Sequence, residues 1–427
     1  MILPLISLFS LLLARTAAVP TPTDSHDHAH SHSVRQALPD SWYQPRDHSV
    51  HALFKRATSD GVNYAAVGTP AWSAGFPQTS PDPNALPAAW VSALNAAVAA
   101  GKIPAIPTSS NMPGVNPVYP AGNNPSSPQI CSATYKCVIP GDIWDAPDGV
   151  FASSFDDGPT PSTPQLVQFL QSNNVSTTHF MIGINILNNP TQFLTAFNAG
   201  HDIAVHTWTH PYMTTLSNLD VVGQLGWTMQ MIHNSTGGRV PRYWRPPYGD
   251  SDMRVRSIAL EVFGLETVIW NHDTSDWNGT PDSIQANMVN FLGSPKHPGL
   301  VILEHELTGI TVGGFMTAFP LIKSNGWNFA SLAQVIGNGR TYQNANSSTS
   351  DDVQPDNILF PSTSSSSSSS PTPTPGSTGS TPPASASSAS QSTPAAKSSA
   401  SRDLHPLRSA YASLLIAGVT GAIVLCS

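Results

Sequence analysis

Two adjacent carboxylates, Asp156 and Asp157, follow an apolar run that predicts a buried strand, Val150–Phe155. Gly158 and Pro159 stop that strand and force a turn. Because neighbouring side chains on an extended chain point opposite ways, one carboxylate can bind a cation while the other faces a reacting molecule. The same four residues are also ordinary turn chemistry, so a prediction of catalysis depends on the other polar motifs of the chain.

Two histidines, His206 and His210, stand four residues apart after another predicted strand, Asp202–Val205. At this spacing both imidazoles come together on one turn of helix and can reach one ion. Histidines on a solvated face can have the same spacing. With Asp157 they would make a three-ligand site with open positions, which is the arrangement of catalytic rather than structural zinc.

A third polar segment begins at Arg245, which can clamp a carboxylate with two hydrogen bonds. Pro246 and Pro247 follow it and lack N–H groups, so the amide of Tyr248 is the first that could point at a developing oxyanion. A rigid turn is the alternative interpretation of this segment.

The last polar segments place Asp276 after one predicted strand and His305 after another. An aspartate beside a histidine raises the imidazole pKa and fixes the ring, as a general acid requires. Trp277 and Leu303 offer an apolar wall for a small group. Either segment alone could be a capping or core feature.

Strand candidates alternate with helix candidates between these motifs. The strands are Val150–Phe155, Thr178–Ile182, Asp202–Val205, Tyr243–Arg245, Thr267–Trp270 and Leu300–Leu303. The helices lie near Pro164–Ser172, Thr191–Ala199, Leu219–His233, Met253–Phe263, Asp282–Leu292 and Phe315–Ser324. This alternation predicts an α/β fold of parallel units and, with one or two strands missed, a closed or nearly closed barrel. Chemistry in such barrels lies at the carboxyl ends of the strands, where each motif falls.

The amino-terminal flank predicts export from the cell. Residues 1–18 are apolar with small residues at the end, which is typical of a secretory signal peptide. Residues 19–52 are polar and His-rich, and we interpret them as a disordered or pro-segment in preference to a metal-scavenging tract. Residues 53–143 form a Pro/Gly-rich extension packed on the main domain. Because secretion implies an oxidising compartment, we predict a disulfide between Cys131 and Cys137.

The carboxyl-terminal flank predicts a surface anchor. Residues 341–401 form a Ser/Thr/Pro-rich stalk that cannot build a core, and residues 402–427 combine a polar spacer with an apolar tail. This pattern is typical of a GPI-anchor signal that is removed, with attachment near Ser398–Ser401. An ordinary tail anchor is the alternative, which the shortness of the apolar run disfavours. The chain also has four glycosylation acceptors: Asn174, Asn234, Asn278 and Asn346.

The charge balance excludes one class of partner. The 427 residues carry a formal net charge of −8, and charged residues are 10% of the chain with no Lys/Arg-rich block. A nucleic-acid partner is therefore not expected. We expect a monomer.

Taken together, the polar motifs resemble the five ordered motifs of the family 4 carbohydrate esterases, the NodB-like polysaccharide deacetylases. They are Asp156-Asp157-Gly158-Pro159, His206-Thr207-x-x-His210, Arg245-x-Pro247-Tyr248, Asp273-x-x-Asp276-Trp277 and Leu303-x-His305. With its signal peptide, stalk and anchor signal, the chain most resembles the fungal GPI-anchored chitin deacetylases. Ser154 stands where the family usually has threonine, and we expect Trp208 to shape the floor of a substrate subsite.

The resemblance implies a distorted (β/α) barrel, often seven-stranded, over residues 144–340, and a role for each site residue. It implies that Asp157, His206 and His210 bind one divalent metal ion, zinc first and cobalt as the alternative. It implies a general base, Asp156, held by Arg245, an oxyanion donor at the Tyr248 amide, and a general acid, His305, tuned by Asp276. It implies that Trp277 and Leu303 enclose the acetyl methyl group.

The substrate that the resemblance implies is chitin, with acetate and chitosan as products in cell-wall modification. An acetyl xylan esterase and a peptidoglycan deacetylase would share the same motifs. A non-catalytic, wall-bound glycoprotein is the alternative from another class.

Overall fold

The computed structural model describes residues 59–111 and 115–359. The predicted signal peptide, His-rich tract, anchor signal and anchor attachment site lie outside the described residues, as does the stalk beyond residue 359.

Short parallel strands form the centre of the described chain. They are β1 (Val150–Gly158), β2 (Thr178–Met181), β3 (Asp202–Val205), β4 (Tyr243–Trp244), β5 (Glu266–Thr267), β6 (His272–Asp273), β7 (Ile302–Leu303) and β8 (Asn328–Ser331). Six of them make one sheet in the order β5-β4-β3-β2-β1-β8, and β6 pairs with β7. Every pairing between these strands is parallel.

The sheet curls because the segment around β7 pairs with β1. Single bridges join Phe151 to Leu300 and Asp156 to His305. The predicted class, an α/β fold with a distorted parallel barrel, is therefore confirmed. Of the predicted strand Thr267–Trp270 only Thr267 lies in a strand, β5, and β6 begins two residues after its end. β8 was missed because its sequence, Asn-Phe-Ala-Ser, is too polar to predict a strand.

Helices connect the strands and cover the sheet. They are α1 (Pro70–Ser73), α2 (Ala88–Ala99), α3 (Thr163–Ser172), α4 (Gly183–Asn188), α5 (Pro190–Asn198), α6 (Asn218–Ser235), α7 (Met253–Phe263), α8 (Pro281–Leu292), α9 (Gly309–Ser324) and α10 (Leu332–Ile336). Local sequence fixes several ends: the Asp252 side chain accepts the Val255 amide at the start of α7, and Gly264 ends that helix with a left-handed backbone. In the part of the chain described, none of the helices combines the length and apolar character needed to cross a membrane.

The amino-terminal extension packs on the barrel through aromatic side chains. Trp72, Phe76 and Trp90 are buried in the same cluster as the apolar faces of α6 and α7. The Trp72 indole donates to the Ser235 hydroxyl at 2.9 Å. The extension is therefore part of the same core. Burying each of these large side chains contributes about 1.5–3 kcal/mol to stability.

The ordered chain continues beyond residue 340, the predicted end of the domain. Tyr342 is fully buried, and the Asn344 side chain accepts the Val240 amide at 2.8 Å and donates to the Gly238 carbonyl at 2.8 Å. Residues 341–359 therefore belong to the folded unit and not to the start of the stalk. Their apolar side chains are isolated among polar ones, so the sequence shows no period to reveal them.

Candidate active site

Asp157, His206 and His210 converge at the carboxyl ends of β1 and β3. Asp157 Oδ1 lies 3.2 Å from His206 Nε2 and 3.1 Å from His210 Nε2. In the described residues these three form a group whose ligand atoms all lie within 4.8 Å of one another. Burial alone would raise the pKa of the Asp157 carboxyl, but the two imidazoles hold it well below its ordinary value, so the group is a carboxylate.

The donor chemistry of these three residues fits a cation. His206 Nδ1 lies 2.7 Å from the Arg245 carbonyl oxygen, which can only accept, so Nδ1 carries a proton and Nε2 is the ring nitrogen that faces Asp157. Asp157 Oδ1 is buried without a hydrogen bond. A carboxylate oxygen with no hydrogen-bond partner beside two imidazole nitrogens is a set of ligand atoms that one cation can use. Two imidazoles and one carboxylate suit a divalent transition metal.

The histidine segment is a loop, and the prediction that both histidines lie on one helical turn is wrong. Thr207 and His210 have positive φ values of 65° and 60°. The Thr207 hydroxyl accepts the His210 amide at 3.0 Å and so closes the turn. Such backbone conformations cost about 1–3 kcal/mol each and persist where the surroundings determine them. Asp157, with φ of 69°, is strained in the same way.

Asp156 lies beside this group and is bound by Arg245. Its Oδ1 accepts Arg245 Nη1 at 2.6 Å, and its Oδ2 lies 3.9 Å from His206 Nε2. The guanidinium is fully buried, 4.3 Å from the centre of the Phe180 ring. Burial lowers the pKa of Arg245, and the interaction with Asp156 opposes that shift.

His305 and Asp276 form a second pair on the other side of the site. His305 Nδ1 donates to Asp276 Oδ1 at 2.6 Å, and the His305 amide donates to Asp276 Oδ2 at 2.8 Å. His305 Nε2 lies 4.0 Å from Asp157 Oδ2 and so faces the candidate metal group. Burial alone would lower the pKa of His305, but the bond to Asp276 and the negative charges nearby raise it to about 9.

The remaining predicted residues surround these two pairs. Tyr248 has φ of 59° and a half-exposed ring that stacks on Tyr212 at 4.0 Å and meets the His210 ring edge-on at 4.6 Å. Leu303 is buried in β7 two residues before His305, and Trp277 is the exposed residue after Asp276. Both therefore flank the His305–Asp276 pair.

Trp208 does not shape a subsite, and that expectation is wrong. The side chain is fully buried. Its indole donates to the Thr79 carbonyl at 2.8 Å, and its ring stacks on Phe76. Trp208 therefore attaches the amino-terminal extension to the back of the histidine loop.

Sequence reasoning missed a chain of buried polar side chains beneath the site. Glu306, His179 and His201 are fully buried and linked to one another. Their only sequence signal is that two histidines and a glutamate occur in otherwise apolar segments. Tyr212 was missed as well, because an aromatic residue after a turn has many roles.

The predicted disulfide is present, because Cys131 and Cys137 are bonded. A disulfide is typical of proteins that work outside the cell. Of the glycosylation acceptors, Asn174, Asn278 and Asn346 are exposed. Asn234 is half-buried, and its Oδ1 accepts from Gln230 and from His233.

Known proteins resemble the chain over the region that carries this geometry. The family model described as polysaccharide deacetylase matches residues 145–267. Chitin deacetylase 3 of Cryptococcus neoformans var. neoformans is 42% identical over 313 residues, which are 70% of this chain and 73% of that protein. Chitin deacetylase 1 of Saccharomyces cerevisiae is 34% identical over 239 residues, 53% of this chain and 74% of that protein. The solved chitin deacetylase of Colletotrichum lindemuthianum is 26% identical with a TM-score of 0.44, and the match covers 48% of this chain and 97% of that one.

Proposed function

We infer that this chain hydrolyses the N-acetyl groups of chitin and releases acetate. The premise is that it belongs to the family 4 carbohydrate esterases, the polysaccharide deacetylases. The observation that carries the inference is the group of Asp157, His206 and His210, with Asp156 and His305 on either side of it. Relatives named chitin deacetylase at 42% identity support chitin as the substrate.

We assign one divalent ion to Asp157, His206 and His210, zinc first because two imidazoles and a carboxylate suit it and leave positions open. When bound, such an ion supplies Lewis-acid polarisation and lowers the pKa of water. The Arg245 carbonyl orients His206 for this role through the Nδ1 proton.

The protein side chains then divide the proton transfers. Asp156, held by Arg245, accepts a proton from the attacking water. The Tyr248 amide donates to the oxyanion of the tetrahedral intermediate. His305, kept protonated by Asp276, gives its Nε2 proton to the departing amine, so that acetate and a free glucosamine unit result. Trp277 and Leu303 enclose the acetyl methyl group.

We also propose how the chain is organised around this domain. Residues 1–18 are the signal peptide, residues 19–52 a His-rich linker or pro-segment, and residues 402–427 a GPI-anchor signal that is removed near Ser398–Ser401. The mature protein would then be a glycosylated monomer at the cell surface, close to wall chitin. Release from cells by a phosphatidylinositol-specific phospholipase C supports this anchor; retention on the cells, with the uncleaved tail found by mass spectrometry, contradicts it.

The substrate is tested by comparing acetate release from chitin oligomers, acetylated xylan and peptidoglycan at equal acetyl concentration. We expect the highest kcat/KM on the chitin oligomers. Faster release of acetate from xylan or peptidoglycan would support the proposed hydrolysis but show that chitin is not the preferred substrate. No acetate from any polymer by metal-loaded protein would contradict the enzymatic assignment.

A further inference from the structure

Three buried titratable side chains form a line beneath the active site. Glu306 Oε1 lies 2.8 Å from His179 Nδ1, and His179 Nε2 lies 2.8 Å from His201 Nδ1. The two imidazole rings stack with centres 5.1 Å apart. All three side chains are fully buried, and the mechanism uses none of them.

The line crosses the strand that carries the two catalytic-site aspartates. Glu306 follows the β7 segment on one side of β1, and His179 belongs to β2 on the other side. The Glu306 carboxylate passes at Gly158, where an added Cβ would overlap it. Glycine at the end of β1 is therefore required for this side chain to reach His179.

The backbone of Glu306 is fixed as firmly as its side chain. The Glu306 amide donates to the Asp156 carbonyl at 3.1 Å, and the Asp156 amide donates to the Glu304 carbonyl at 2.9 Å. The Thr160 hydroxyl donates to the Glu306 carbonyl at 2.5 Å. His305, between the two bonds to Asp156, is thereby held at a set distance from the base.

A contribution to the stability of the fold does not explain why Glu306 and His179 are ionisable side chains. A buried pair of this kind loses its hydration, and apolar side chains of similar volume are often as stable or more stable. A hydrogen-bonded pair does, however, specify one direction and one length, which apolar packing does not. A displacement of about 1 Å in a catalytic group can cost about a hundredfold in rate.

We propose that Glu306 and His179 are positioning residues that hold His305 in register with Asp156 and the metal group. This inference rests on the proposed function. It predicts that the Glu306–His179 bond affects the chemical step and leaves substrate binding unchanged.

The main test is the double variant Glu306→Met/His179→Leu, which replaces the pair without leaving one charge unpaired. We expect kcat on a chitin tetramer to fall about tenfold or more, with KM and bound zinc unchanged. Glu306→Gln keeps the length and an acceptor for His179, so it should retain most of kcat. A double variant with wild-type kcat would overturn the proposal.

A matched control and a lighter variant separate positioning from general loosening. Ser153→Ala/Thr177→Val removes a fully buried hydroxyl pair, 2.7 Å apart, between β1 and the residue before β2, and should leave kcat unchanged. Thr160→Val removes the bond to the Glu306 carbonyl and the acceptor of the Ser162 amide but leaves the Glu306–His179 pair intact, so it tests the proposal even if the double variant fails to fold. We expect kcat about threefold lower with KM unchanged; wild-type kcat in this variant would count against positioning.

A readout without turnover distinguishes this inference from the proposed function. Hydrogen exchange of residues 303–308 should be faster in the variants, because the segment that donates the Glu306 amide to the Asp156 carbonyl is held less firmly and opens more often. Unchanged exchange there would overturn the positioning role even if the wild type released no acetate. A wild type that is inactive on every polymer, with faster exchange in the variants, would contradict only the proposed function.

Discussion

Arg245 binds both halves of the active site: its carbonyl oxygen accepts the His206 Nδ1 proton at 2.7 Å, and its guanidinium donates to the Asp156 carboxylate at 2.6 Å. One residue therefore holds the Nδ1 proton of a proposed metal ligand and the orientation of the proposed base. The two functions use different atoms, so they can be separated by mutation.

The first prediction separates base catalysis from metal binding. Asp156→Asn keeps the size of the side chain and does not touch His210 or the Arg245 carbonyl, so zinc should still bind with one equivalent. Turnover should fall by about two to four orders of magnitude, because general base catalysis contributes that much. Zinc content and acetate release are measured on the same sample. Normal deacetylation would refute the assignment of the base.

The second prediction concerns the pH dependence of kcat. The His305 pKa is raised to about 9, and a general acid acts while protonated, so turnover should be present below that pKa and be lost as pH rises through it. Asp276→Asn removes the main cause of the raised pKa. The descending limb of kcat between about pH 6 and about pH 10 should therefore move to lower pH. A limb at the same pH in the variant would show that Asp276 does not tune His305.

The third prediction concerns the ring stack that supports Tyr248. The Tyr212 and Tyr248 rings lie 4.0 Å apart and within 10° of parallel. Such a stack contributes about 0.5–1.5 kcal/mol, and it holds Tyr248 in its positive-φ conformation. Tyr212→Ala should lower kcat by about threefold to tenfold, whereas Tyr212→Phe, which keeps the ring, should be close to wild type. Equal rates for the two variants would exclude this role.

The fourth prediction concerns stability and the buried carboxyl of Asp202. Burial raises its pKa to about 6, so the folded state holds a proton that the unfolded chain releases near its ordinary pKa of about 4. The free energy of unfolding should therefore fall as pH rises from about 4 through about 6.

The variant Asp202→Asn has no ionisable group at this position, so its free energy of unfolding lacks this pH-dependent loss. Relative to the wild type, its free energy of unfolding should rise by about 2–3 kcal/mol between about pH 4 and about pH 7, as measured by urea titration. Asp282→Asn, at an exposed residue in the first turn of α8, is the control and should run parallel to the wild type. If the free energy of unfolding of Asp202→Asn also changed with pH as that of the wild type does, the raised pKa of the buried Asp202 carboxyl would be contradicted.

Sequence periodicity was sufficient for the longer elements. The helix predicted at Met253–Phe263 has the same bounds in the structure, and Asp202–Val205 is the strand that was predicted. The two-residue strands β4 and β7 lie inside predicted strands, whereas β6 and β8 were not predicted, because their pairing depends on neighbours far away in the chain. The left-handed backbone of Thr207 and His210 was not predicted for a similar reason, because nothing in the local sequence favours that conformation over a helical turn.

Motif order predicted which residues meet, and it could not predict how they are supported. Asp157, His206 and His210 converge as expected. The link from Glu306 to His179 across Gly158 has no characteristic spacing, since it depends on the order of strands in the curled sheet. Buried polar partners of this kind become visible only when the fold is known.

The most direct test of the account is acetate release from a chitin tetramer by metal-stripped protein as zinc is added. We predict no release without metal, a rise that saturates at one equivalent of zinc, and no rise in His210→Ala at the same zinc concentrations. Release by the stripped protein, or a normal zinc response in His210→Ala, would contradict a single ion held by Asp157, His206 and His210.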